Sequence, residues 1–153
     1  MAIIFPEGTQ NYPCKIIQCV SQQNATSVST TSTSYQDISD LTKTLTLQSS
    51  SHKVLVALVL QIETYGDEDR RCEAAIFHTD MTNRYSQATT GEYKTGDSGS
   101  YSYGSQTHYA LVSPGTTSMT FKAGFRSVDG STVGVKGHAG YWRSYFVLQE
   151  VEA

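Results

Sequence analysis

The residues best able to do chemistry are scattered along this chain. Its four histidines are His52, His78, His108 and His138. None has a histidine partner two or four residues away, so spacing alone builds no metal site. The three cysteines, Cys14, Cys19 and Cys72, form no Cys-x-x-Cys pair. An odd number of cysteines suits reduced, buried thiols in a protein that folds in the cytosol. Cys14 and Cys19 lie five residues apart on one expected strand, so they point to opposite faces and cannot bridge locally. Asp67, Glu68 and Asp69 crowd into one turn that could bring carboxylates to a cation. They lack the loop spacing of a calcium site, and a solvated hairpin tip is the plainer reading.

The run GDSGS (residues 96–100) has the serine surround of a trypsin-like protease. That chemistry also needs an upstream His and Asp, usually with disulfides and a longer chain. The string lies in a Gly/Ser-rich stretch where it can arise by chance. No Gly-rich phosphate loop follows a strand and opens a helix. The expectation is a non-enzyme with no cofactor and no resident metal.

Two stretches point to binding instead. Residues 91–109 read as a long loop carrying Tyr93, Tyr101, Tyr103, His108 and Tyr109 among Ser and Gly, the composition of adaptable recognition surfaces. Its tyrosines would either pack against a neighbouring subunit or stack on sugar rings. The start of the chain, AIIFPEGTQNYP, carries Ile3, Ile4 and Phe5 ahead of Pro6, then Tyr12 and Pro13. Pro6 and Pro13 cannot donate ladder hydrogen bonds, and proline pushes the residue before it toward an extended shape. Residues 1–13 are therefore expected to form an extended docking arm, with residues 14–153 as the folded domain. The apolar group ends after three residues and no basic residue precedes it, so a secretory signal is not expected.

The elements that must position these groups read as strands throughout. At 153 residues the length suits one domain. Net charge is −3, so nucleic acid is not an expected partner. Charged residues make up 16%, below the usual ~25%, and because no stretch reaches the ~18 apolar residues of a span, a membrane is not expected either. Ser and Thr fill about a quarter of the sequence, and Thr fits a pleated surface. Strong strand patterns cover residues 14–20, 41–47, 53–63, 71–79, 119–126 and 141–151. Weaker ones cover 34–38, 81–88, 107–112 and 131–136. The polar run 22–33 suits a loop or an edge strand. Asp129-Gly130 between two strand patterns is a hairpin signal. Residues 54–60 are aliphatic on both faces and need cover on both. Eight to ten short strands argue a jelly roll of two four-stranded sheets.

The opening MAIIFPEGTQNYPCKIIQ resembles the start shared by small bacteriophage virion proteins, especially those of phages infecting cyanobacteria and marine bacteria. The block TSTSYQDISDLTKTLTLQSSSHKVLVALVL and the ending FVLQEVEA are also similar to theirs. The resemblance covers about residues 1–60 and 141–153; residues 64–140 have no counterpart. It implies a jelly-roll or tumour-necrosis-factor-like sandwich, commonly a homotrimer, on the virion surface after synthesis in the host cytoplasm. The role it implies is a capsid cement or decoration protein that holds the major capsid protein. The alternative is a short tail fibre or adhesin component between a tail adaptor and host glycan. A cement protein is the expectation, because the chain has no repeats or heptads to make a shaft.

Overall fold

The computed structural model describes residues 15–65, 70–86, 89–93, 101–137 and 143–152. The expected arm (Ile3, Ile4, Phe5, Pro6, Tyr12), Cys14, the Asp67-Glu68-Asp69 turn, the 96–100 run and His138 lie outside the described residues.

The strands are β1 (Ile16–Gln23), β2 (Val28–Thr30), β3 (Gln36–Thr46), β4 (Lys53–Tyr65), β5 (Arg70–His78), β6 (Thr89–Tyr93), β7 (Tyr101–Val112), β8 (Ser118–Ser127), β9 (Val133–Val135) and β10 (Tyr145–Val151). They form two antiparallel sheets. One has the order β3-β8-β5-β6; the other runs β1-β10-β4-β9-β2, with β7 along the second edge of β4. The larger sheet has six strands because two long strands are interrupted. β1 and β2 follow one another along one line, and β9 and β10 along the next, both against β4. Joined so, each sheet has four strands and the order is that of a jelly roll. Buried Ser144 stitches the break. Its hydroxyl accepts from the Gln61 N–H at 2.9 Å and donates to the Lys136 carbonyl at 2.8 Å.

The core follows from period-two alternation. Val54, Val56, Leu58, Leu60 and Ile62 of β4 point between the sheets. They meet Phe121 and Phe125 of β8, Ile76 of β5, Leu41 and Leu45 of β3, and Phe146 and Leu148 of β10 in one contiguous cluster.

Several expectations need correction. The segments 34–38 and 41–47 are one strand, β3, with an irregular register between Asp37 and Thr42. In place of a strand over 81–88, the described part is a turn with one bridge, Phe77 to Arg84. Asp129-Gly130 does turn the chain, with Gly130 at φ +82°, but it makes no hairpin. Both edges of β8 are already occupied, by β3 and β5, so the chain crosses to β9 in the other sheet. Cys72 is buried, where burial and then the neighbouring Glu73 charge push its thiol up to about 12. Cys19 is exposed, not buried, because it sits on the outer face of edge strand β1; both thiols are free.

Candidate functional site

The largest correction concerns the tyrosine-rich segment. Residues 101–112 form strand β7, paired with β4 from Tyr101↔Tyr65 to Val112↔Val54. Alternation then divides the expected site residues. Tyr101, Tyr103 and Tyr109 face outward, whereas His108 is buried, with its Nε2 3.3 Å from Gln106 Oε1. Gln106 in turn donates to the Cys72 carbonyl at 3.0 Å. Tyr93 lies in β6, in the other sheet. Tyr109 is six residues from Tyr103, about 20 Å along an extended strand. Among the described side chains of this set, Tyr101 and Tyr103 come together, Tyr109 stands apart and His108 turns inward.

The two outer sheet faces differ sharply. Among the described residues, the outer face of β3-β8-β5 is polar and its central charges pair with one another. Arg126 donates twice to Glu73, at 2.9 and 2.5 Å, and Tyr35 donates to Glu73 at 2.7 Å. Arg84 lies 3.8 Å from the same carboxylate. Burial raises the Glu73 carboxyl, but the bonds from Tyr35 and Arg126 outweigh it and leave the group below its ordinary value. Burial and Glu73 together push the Tyr35 phenol up to about 12. The Tyr35 ring covers Phe77 edge-on at 4.8 Å and carries the Arg126 guanidinium at 4.9 Å. Lys122 pairs with Asp37 at 2.6 Å. Aromatic and cation–π contacts of this kind close a surface and hold it rigid.

The outer face of β1-β10-β4-β7 is apolar at its centre. Leu55, Ala57 and Val59 stand half-buried in β4. Register places Val147 beside Ala57 and Tyr145 beside Val59 on one flank. On the other flank Leu111 is beside Leu55 and Tyr109 beside Ala57. Tyr109 is 67% exposed and Leu111 62%. Uncharged Thr107, Ser105, Gln149, Ser21 and Gln23 flank this patch, and Lys53, two residues before Leu55 on the same face of β4, closes one end. The doubly aliphatic strand read from residues 54–60 thus has one face in the core and one on this surface.

Where β4 runs on toward Tyr65, the same face changes character. Tyr65 and Tyr101 stand opposite one another, ring centres 4.9 Å apart. Tyr101 and Tyr103 stack nearly parallel, at 6.2 Å and 19°. The Lys136 ammonium sits 5.9 Å from the centre of the Tyr103 ring and pairs with Glu63. Beside them is a cleft of about 170 Å³ lined by Ser27, Val28, Ser29, Glu63, Gly134, Val135 and Lys136. Tyr65, Glu63 and Lys136 were not singled out from sequence. The signal was the register of 101–112 against 53–65, hidden by the Gly/Ser composition.

One further polar cluster closes the opposite end of the sandwich. Fully buried Glu150 of β10 accepts from Gln18 at 2.5 Å, from the Gln48 N–H at 2.7 Å and from His52 Nδ1 at 2.6 Å. Burial raises this carboxyl, but His52, Gln18 and Gln48 outweigh it and leave it below its ordinary value. Gln18 also donates to the Thr46 carbonyl of β3 at 2.6 Å, tying the sheets together. Among the described residues no three His, Cys, Asp or Glu side chains converge as a metal site. No helix among them is long and apolar enough to cross a membrane.

No protein-family model matches the chain, and no curated protein matches it. Solved structures similar in part include two viral ones. The infectious bursal disease virus VP2 subviral particle aligns at TM-score 0.40 and 9% identity, over 89% of this chain and 37% of that one. The tripod from the baseplate of bacteriophage Tuc2009 aligns at TM-score 0.31 and 10% identity, over 98% of this chain and 72% of that one. The chain spans little more than a third of the length of the first. At these scores neither likeness bears on function.

Proposed function

We propose that this protein is a non-enzymatic structural component of a bacteriophage particle, and that its copies associate as a homotrimer through the outer face of the β1-β10-β4-β7 sheet. The observation that carries the association is the contrast between the two outer faces. One compensates its own charges through Glu73, Arg126, Lys122 and Asp37. The other presents Leu55, Ala57, Val59, Tyr109, Leu111, Tyr145 and Val147 with no charge among them. An apolar sheet face of this kind is stabilised by cover, and closed symmetry is the usual solution when copies supply it. The phage role rests on the resemblance carried by the opening and closing residues. Within that role the protein is a cement or decoration protein on the virion surface, bound to the major capsid protein. A tail fibre or adhesin component is the second reading, favoured by the stacked tyrosines.

Light scattering tests the association. The native chain is expected at three times its monomer mass at micromolar concentration. Leu111→Asp, at an exposed position, should give a folded monomer. A native protein that is monomeric, or a Leu111→Asp variant that stays trimeric, would refute this interface.

Residues 1–13 are proposed as the arm that docks onto the particle. Ile3, Ile4 and Phe5 would each contribute roughly 1.5–3 kcal/mol on burial in a partner, before ordering costs, and several arms per oligomer would add by avidity. Deleting residues 2–6 should leave the melting temperature nearly unchanged and the trimer intact while abolishing co-sedimentation with particles. Early melting of the truncated chain would show instead that the arm belongs to its own core.

A further inference from the structure

We infer that the tyrosine end of the outer face, together with the cleft beside it, binds a neutral oligosaccharide. This rests on and deepens the second reading, the adhesin favoured by the stacked tyrosines, and it uses residues apart from the apolar face where copies associate.

Four adjacent strands build the place. Register aligns Tyr103 of β7, Glu63 of β4, Gly134 of β9 and Ser29 of β2 in one row across the sheet. Val133 and Val135 point into the core, so position 134 faces outward. Gly134 has no side chain there, and the floor of the row is bare backbone. A Cβ at this position would come within 3.3 Å of the Val28 carbonyl and 3.8 Å of the Ser29 Cβ. The missing side chain opens the cleft, whose walls are the Ser27 and Ser29 side of β2 and the Glu63–Lys136 pair.

The chemistry of the walls selects the ligand. Tyr101 is 56% exposed, and Tyr65 and Tyr103 are each 48% exposed. Tyr101 stacks on Tyr103 and meets Tyr65 at a tilt of 50°, and these ring contacts restrain the side chains before a ligand arrives, which lowers the ordering cost of binding. Aromatic faces attract the C–H faces of a sugar ring, and tyrosine adds a hydroxyl at the rim. Ser27, Ser29, Glu63 and Lys136 supply acceptors and donors for sugar hydroxyls. At about 170 Å³ the cleft is smaller than the ~300 Å³ at which drug-sized pockets begin. It suits one ring, with further rings of an oligomer laid on the tyrosines.

Charge excludes the main competitor. Single-stranded nucleic acid also stacks on aromatic rows, but it needs a basic groove to hold its phosphates. Here Lys136 is neutralised by Glu63, and the whole chain carries −3. An anionic glycan is disfavoured for the same reason.

The test is saturation-transfer NMR on the full-length chain with maltohexaose, cellohexaose and chitohexaose, and with a heparin hexasaccharide as the anionic comparison. At least one neutral hexasaccharide should receive saturation. The double variant Tyr101→Ala/Tyr103→Ala should weaken that binding at least about tenfold. Thr44→Ala, at an exposed position of β3 in the other sheet, should leave it unchanged. Melting temperature and light scattering on all three proteins keep folding and assembly in view. The inference is overturned if no neutral oligosaccharide binds, if only heparin binds, or if the double variant binds as the native protein does. It is also overturned if the double variant changes the oligomer mass, because the tyrosines would then be a subunit contact.

Discussion

Replacing Glu150 with alanine is expected to cost on the order of 3 kcal/mol, the scale for removing a buried carboxylate that leaves several hydrogen-bond donors without a partner. In a chain of this size that lowers the melting temperature by about 6–12 °C. The side chain is fully buried and collects three donors from three separate segments: Gln18 in β1, Gln48 after β3 and His52 before β4. Losing it strands those donors and frees the clasp that joins the two sheets through Gln18 and Thr46. The same group gives the domain an acid sensitivity of definite sign. Its folded carboxyl titrates below its ordinary value, so the unfolded chain takes up the proton first as pH falls. The stability it contributes is complete above the unfolded value, near 4.3, and is lost as pH drops through the folded one. Thermal melts at pH 7 and at successively lower pH should show the native protein losing stability below about pH 4.5. Glu150→Gln should lose less over that interval. Equal acid losses in both proteins would assign the sensitivity to other carboxylates, Glu73 foremost.

Two adjacent residues of β4 should respond in opposite ways. Leu58 is fully buried between the sheets, and Leu58→Ala is expected to cost about 2–5 kcal/mol through lost burial and the cavity left behind. Val59, its neighbour, lies on the outer face between Tyr145 and Thr107. Val59→Ala should change the stability of a single subunit by less than about 1 kcal/mol, but it should weaken association. Denaturant melts of both variants in a Leu111→Asp background isolate the folding term. Light scattering in the native background isolates the association term. A Val59→Ala loss as large as that of Leu58→Ala in the monomeric background would place Val59 in the subunit's own core and remove it from the interface.

Much of the architecture was legible because alternation is local. Val54 to Ile62 of β4, Phe121 to Phe125 of β8 and Phe146 to Leu148 of β10 carry their buried faces in the order of their side chains. A two-residue period fixes those faces whatever lies across from them. The same alternation was present in Tyr101 to Val112 and reads as a weak strand over 107–112, yet Gly104, Ser102 and Ser105 give the part before it the composition of a loop. It is a strand because β4 extends to Tyr65 and offers a ladder partner to every residue from Tyr101 to Val112. That partner lies tens of residues away and is invisible to local propensity. The fate of Asp129-Gly130 is similar: its turn chemistry is local, but the neighbours already flanking β8 forbid a hairpin.

The candidate sites were hidden for the same reason. Glu150 and its partners His52 and Gln18 are separated by 98 and 132 positions. Glu63, Lys136, Tyr103 and Gly134 meet only because β7, β4 and β9 lie side by side. Sequence by itself determined which residues turn inward along each strand, because that depends on chemistry two residues apart. Tertiary structure alone decided which outward faces are charged and closed and which are apolar and open. That depends on how strands from distant parts of the chain fall into register, and register is set by the packed core and not by any one strand.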